Sequence, residues 1–110
     1  MNSKQKGARG EREWASFCRD QGYDCRRTAQ YCGNTGDASD VVGLPGVHIE
    51  VKRVEALNLD KAMSQAIHDS KGQKMPIVAH RKNNAGWMVT MQAGDWFALY
   101  REWEAGNGED

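Results

Sequence analysis

Asp40-Val41-Val42-Gly43-Leu44-Pro45-Gly46-Val47-His48-Ile49-Glu50-Val51-Lys52 is the stretch on which the fold turns. Gly43-Leu44-Pro45-Gly46 punctuates two apolar runs, so the segment reads as an antiparallel hairpin. Side chains alternate along a strand, which puts Glu50 and Lys52 on one face and Ile49 and Val51 on the other. If Val41 pairs with Ile49, Asp40 falls directly opposite Glu50, and Val41, Ile49 and Val51 line one apolar face. A slip by one residue would mix carboxylates with core, which one-sided burial disfavours.

In that register the two carboxylates stand roughly 5 Å apart at Cβ. Like charges that close repel, and a divalent cation bound by oxygen ligands relieves the repulsion. Mg²⁺ typically takes one or two carboxylates together with water and substrate phosphate. Lys52, one strand step further on the same face, is placed to meet the phosphate or the attacking water. Taken alone, Glu-x-Lys is the pattern of an ordinary solvated hairpin face. Asp40 at the matching parity turns it toward metal-dependent phosphodiester chemistry.

The 110 residues, 39% of them hydrophobic, suit one small domain with a single core. We expect that domain over residues 1–104, followed by a disordered acidic tail over 105–110. No apolar run approaches the ~20 residues of a membrane span. Met1-Asn2-Ser3-Lys4-Gln5-Lys6 lacks the apolar stretch of a secretion signal, so a cytoplasmic protein is expected. Cys18, Cys25 and Cys32 show no Cys-x-x-Cys spacing and no nearby histidines, which argues against a zinc motif and a disulfide framework. Net charge is zero, yet residues 1–82 hold 14 Lys and Arg against 10 Asp and Glu, and residues 83–110 hold 1 against 5. The basic part can therefore face phosphates more readily than the total implies.

The residues around the hairpin supply helices and further strands. Residues 4–21 read as a first helix with Trp14, Phe17 and Cys18 at helical spacing and Gly22 as its stop. On a wheel Glu11 lies about 60° from the centre of that apolar stripe and Glu13 about 100° away on the other flank, so Glu11 is the better placed to look inward. Residues 23–27 form a short strand, and the polar loop 28–39 that follows is long enough to suggest a functional role. Asp37, in that loop, is a weaker rival to Asp40. Asn58 or Asp60 starts a second helix with Leu59, Ala62, Met63, Ala66, Ile67 and Ser70 buried and Lys61, Gln65 and His68 on the opposite face. Residues 75–79 and 87–91 read as strands around the turn Asn83-Asn84-Ala85-Gly86, with His80-Arg81-Lys82 offering phosphate contacts. Asp95 caps a last helix whose Trp96, Leu99, Tyr100 and Trp103 fall on one face, for the core or a subunit contact.

The order is α-β-β-β-α-β-β-α, an α/β fold with a central mixed five-stranded sheet flanked by helices. An Asp on one strand, Glu-x-Lys on the next and a helix carrying Lys6-Gly7-Ala8-Arg9-Gly10-Glu11-Arg12-Glu13 resemble the PD-(D/E)xK nuclease superfamily. The likeness is greatest to the archaeal-type Holliday-junction resolvases, which share a Lys-Gly-Ala-x-x-Glu-Arg-Glu start, a strand ending in Arg (here Arg27), a hydroxyl-bearing loop and Ile-Glu-Val-Lys. Gln65-Ala66 also resembles small phage-type members, so a phage-encoded protein fits. Ser39 stands where the superfamily's name puts Pro, and Thr28, Tyr31 and Thr35 compete for the loop hydroxyl.

The resemblance implies a restriction-endonuclease-like core. It implies Asp40, Glu50, Glu11 and the Val51 backbone carbonyl as ligands of Mg²⁺, with Mn²⁺ able to substitute, and Lys52 as the residue that orients or activates the water. Lys6, Arg9, Arg27, Thr28, Gln65, Arg81 and Lys82 become candidate DNA contacts. The implied partners are DNA, above all four-way junctions or other branched forms, and a second copy in a homodimer. Three classes stay open: a junction resolvase, another nuclease of the superfamily acting on flaps, ends or duplex, and a non-catalytic DNA-binding module of the same fold.

Overall fold

The computed structural model describes residues 3–28 and 39–107, with side chains from Gly7 onward. Tyr31, Cys32, Thr35 and Asp37, and the side chain of Lys6, lie outside the described residues. Three helices and five strands are present among those described: α1 (Ser3–Asp20), β1 (Arg26–Arg27), β2 (Val41–Val42), β3 (Val47–Arg53), α2 (Leu59–Ser70), β4 (Met75–Arg81), β5 (Met88–Met91) and α3 (Ala93–Asn107). The strands lie in the order β1-β2-β3-β4-β5. β3 and β4 are parallel and the other pairs antiparallel, so the sheet is mixed, as expected. A parallel pair needs a crossover connection, and α2 supplies it.

The hairpin register is the expected one, with Val41 opposite Ile49. Ile49 and Val51 pair with Ile77 and Ala79, and this face packs under Trp14, Ala15 and Cys18 of α1. On the other face Val78 packs against Ala62 and Ala66 of α2. Glu50 and His48 share that second face by strand parity, and both are buried. The face expected to be polar is therefore covered by a helix.

Two glycines allow close approaches. A Cβ on Gly10 would stand 2.9 Å from Cβ of Arg53, so glycine lets α1 lie over the end of β3. Gly43 has φ +128° and a Cβ there would meet backbone of Asp24 and Cys25 at 2.6 Å. Asn58 caps α2, its side chain accepting from the Lys61 N–H at 3.0 Å.

Several boundaries differ from the sequence reading. The first strand shrinks to Arg26–Arg27 because residues 23–25 bind the end of α1 instead: Tyr23 N–H donates to the Cys18 carbonyl, and Arg19 donates to the Cys25 carbonyl at 2.8 Å. β4 extends through Arg81, since its parallel ladder with β3 continues to Arg53. Trp87 precedes β5 and packs edge-on against Trp14 at 5.1 Å. Phe17 and Ile67 are half exposed rather than core. Cys18 and Cys25 are both buried free thiols; burial, with Cys25 close by, pushes Cys18 up to about 12.

The last helix begins at Ala93, before Asp95, and runs through Asn107, so residues 105–107, expected in a disordered tail, are helical. It has no buried residue. Trp96, Phe97, Leu99, Tyr100 and Trp103 are each at least 40% exposed; Trp96 stacks on Tyr100 and meets Phe97 edge-on, and Tyr100 lies tilted against Trp103. The core reading of these aromatics is thereby corrected. β5, an edge strand, also shows Met88 and Val89 to solvent.

Candidate active site

β2 begins at Val41, and Asp40 stands immediately before it. The Asp40 N–H donates to the Ile49 carbonyl at 2.8 Å, and its carbonyl accepts from Thr28 N–H at 3.0 Å, so its backbone is fixed on both sides. Its Oδ2 accepts from the Val51 N–H at 2.8 Å. In an extended strand a residue's N–H and C=O project to the same side, so the Val51 carbonyl also turns toward the edge that Asp40 occupies. Asp40 thus brings its carboxylate to the Val51 peptide at the end of β3, near enough for its charge to act on Glu50.

Both acids are desolvated. Burial pushes the Glu50 carboxyl up to about 8, with the Asp40 charge adding to it, and pushes Asp40 up to about 6 against the opposing pull of the Val51 N–H. Lys52 favours the ionised form of both, and Glu11 disfavours it in both. Glu50 Oε2 is buried and has no hydrogen-bond partner among the described residues. A half-buried and a buried carboxylate that repel each other, with an oxygen left over, are a donor set that a hard divalent cation satisfies, so these residues fit one. Lys52 is exposed at the mouth of the site, beside a cleft of about 250 Å³ that also touches Asn58, Lys61 and Gln65.

The two first-helix glutamates separate cleanly. Glu11 Oε1 accepts from Arg27 Nε at 3.0 Å, and its charge reaches both Asp40 and Glu50. Glu13 turns instead to Arg53 Nε at 2.6 Å and Arg9 Nε at 3.1 Å.

The candidate DNA contacts scatter. Arg27 is held against the acidic group by Glu11, and Thr28 is buried. Arg9 and Arg81 line a separate open cleft of about 600 Å³ with Arg12 and Trp87, the Arg81 guanidinium lying 5.8 Å from the Trp87 ring centre. Lys82 is exposed, with its carbonyl 3.5 Å from Arg81 Nε. Gln65 is exposed and donates to Asp69 Oδ2 at 2.9 Å.

Two residues at this site escaped the sequence reading. His48 is 2% exposed, its Nδ1 lies 2.9 Å from Ser39 Oγ, and its Nε2 is 3.8 Å from Glu50 Oε2. Asp69 closes the group: one ligand atom from each of His48, Glu50 and Asp69 lies within 4.8 Å of the others. Signals for both existed. His48 shares the strand parity of Glu50 and Lys52, and Asp69 lies seven residues, two helical turns, after the buried Ala62. Ser39, buried, also accepts from Ile49 N–H at 3.3 Å, bonds that a proline there could not make.

Comparison with known proteins places these features in a family. A family model described as "Phage putative PDDEXK endonuclease" matches residues 2–106. No curated protein matches. Among solved structures, that of Archaeoglobus fulgidus Hjc, a Holliday junction resolvase from an archaeal hyperthermophile, is similar at a TM-score of 0.58 and 24% identity, over 78% of this chain and 72% of that one. The likeness establishes a shared restriction-endonuclease-like architecture.

Proposed function

The chain belongs to the phage PD-(D/E)xK endonuclease family, and from that premise we propose a Mg²⁺-dependent endodeoxyribonuclease that cuts four-way DNA junctions as a homodimer. The observation that carries the reading is the desolvated, mutually repelling pair Asp40 and Glu50, with the Lys52 charge acting on both. Asp40, Glu50, Glu11 and the Val51 carbonyl would hold the cation. When bound, it polarises the scissile phosphate and lowers the pKa of a water molecule. Lys52 donates to a non-bridging phosphate oxygen, stabilising charge that grows in the transition state. Glu11, braced by Arg27, keeps its carboxylate turned toward the other two. Mn²⁺ can substitute for Mg²⁺ because the donors are oxygens.

Junction choice draws support from the similarity of fold to a resolvase and from the aromatic face of α3. A four-way junction is cut on two opposed strands, and one chain carries one such site. A two-fold dimer presents two with matching symmetry. The exposed aromatics of α3 offer a surface for that contact. The test is cleavage of junction, flap, single-stranded and linear duplex DNA with Mg²⁺. Paired symmetric nicks in the junction are expected. Equal cutting of linear duplex by a monomer would replace the junction reading with a general nuclease, and binding without any cutting would leave a non-catalytic module.

A further inference from the structure

We propose that His48, Glu50 and Asp69 form a second cation site, selective for a transition-metal ion such as Zn²⁺, Mn²⁺ or Co²⁺, behind the nuclease centre and sharing Glu50 with it. The three come from two elements that only the fold brings together. His48 and Glu50 are two apart on β3 and so share its α2 face, while Asp69 sits in the last turn of the helix covering that face. Their ligand atoms lie within 4.8 Å of one another.

One observation points to an ion, and the surroundings agree with it. Glu50 Oε2 is buried with no hydrogen-bond partner among the described residues, and it is this oxygen that stands 3.8 Å from His48 Nε2. Ligands about 2.1 Å from a tetrahedral ion are about 3.4 Å from each other, so the pair needs only a small side-chain movement to close on one. Each outer ligand is also braced as metal ligands are. His48 Nδ1 is 2.9 Å from Ser39 Oγ, and in the tautomer in which Nδ1–H donates to that oxygen, Nε2 is the ring's ligand atom. The two Asp69 oxygens are taken by Gln65 Nε2 at 2.9 Å and His68 Nδ1 at 3.2 Å. Access is one-sided: the side chains of His48 and Glu50 are 2% and 9% exposed, and that of Asp69, at 23%, is the opening to solvent.

The donor set decides the ion. An imidazole with two carboxylates suits Zn²⁺, Mn²⁺ or Co²⁺, whereas Mg²⁺ prefers oxygen donors and retains its waters. Two carboxylates also match the charge of a divalent ion. Held here, the ion would tie the end of α2 to β3 and fix the carboxylate that the nuclease centre borrows.

The experiment is titration of the DNA-free protein with Co²⁺ alone, followed by its visible absorption, with Mg²⁺ titrated calorimetrically for comparison. Wild type should bind Co²⁺ at least ~10-fold tighter than Mg²⁺, and Asp69→Asn and His48→Gln should each weaken Co²⁺ at least ~10-fold, since even supporting residues of metal sites cost that much. Asp40→Asn should leave the tight Co²⁺ site in place. Asp69 is partly exposed, so Asp69→Asn tests the site even if His48→Gln unfolds, with circular dichroism as the check. Unchanged Co²⁺ affinity in Asp69→Asn, or loss in Asp40→Asn alone, overturns the proposal. None of these readouts involves cleavage, so a failure of the nuclease reading would be seen separately.

Discussion

Replacing Glu50 with Gln should stabilise the metal-free protein at alkaline pH. Glu50 ionises near 4.5 in an unfolded chain and near 8 in the folded one, because burial and the Asp40 charge penalise its carboxylate. Between those values the folded state holds a proton that the unfolded state has lost, so stability falls as pH rises from about 4.5 and levels off above about 8. At about 1.4 kcal/mol per tenfold in the proton equilibrium, the displacement amounts to at most about 5 kcal/mol. Relaxation and water entry around the ionised group reduce the expected loss to about 2–3 kcal/mol. Gln fills the same space and never ionises, so Glu50→Gln should keep only the smaller decline due to Asp40. The assay is urea denaturation of both proteins with chelator at pH 5 and pH 9. A wild type equally stable at the two values, or a variant that declines in parallel with it, would refute the assignment of Glu50 as a buried, unneutralised acid.

Lys52→Ala should lower the cleavage rate about 10²–10³-fold, as loss of a transition-state donor does, while DNA binding and thermal stability stay near wild type; gel assays and a melting curve check both. Asp40→Asn should lose cleavage at least as fully yet still fold, because an amide oxygen can accept from Val51 N–H as the carboxylate does. A chelator should abolish cutting, and Mg²⁺ or Mn²⁺ should restore it, whereas Ca²⁺ should support binding in a gel shift better than cleavage. Trp96→Ala with Trp103→Ala should convert a dimer to a folded monomer in sedimentation at micromolar concentration and turn paired junction nicks into single ones; a wild type that is already monomeric would remove α3 from the assembly.

The hairpin was legible because period-two alternation with one apolar face admits a single register, and Val41 opposite Ile49 is the pairing the fold adopts. That Glu11 rather than Glu13 turns toward Asp40 and Glu50 was legible for a similar reason, since helical phase alone separates them by direction. Covering of the Glu50 face was not legible. It depends on α2 folding back over β3, a crossover whose packing no local pattern specifies, and so the company of His48 and Asp69 was missed although the phase of each could be counted. The aromatic helix shows the same limit from the other side. Spacing tells that Trp96, Tyr100 and Trp103 share a face, but whether that face meets its own sheet or another molecule is a tertiary matter. The ends of β1 and β4 moved because backbone groups found other partners: the end of α1 for residues 23–25, the parallel ladder for His80 and Arg81.

The two edges of the sheet have unequal defences against uncontrolled growth. β1 is only two residues long and both are arginines, so it offers little backbone and a repulsive charge to an incoming strand. β5 has four residues, Met88-Val89-Thr90-Met91, without a charge among them, and Met88 and Val89 are 63% and 48% exposed. An unfolding intermediate or a crowded solution would extend the sheet from β5 rather than β1. Fibril or precipitate formation in concentrated stocks should therefore be relieved by introducing a charge on that strand, and hardly at all by changes at Arg26 or Arg27.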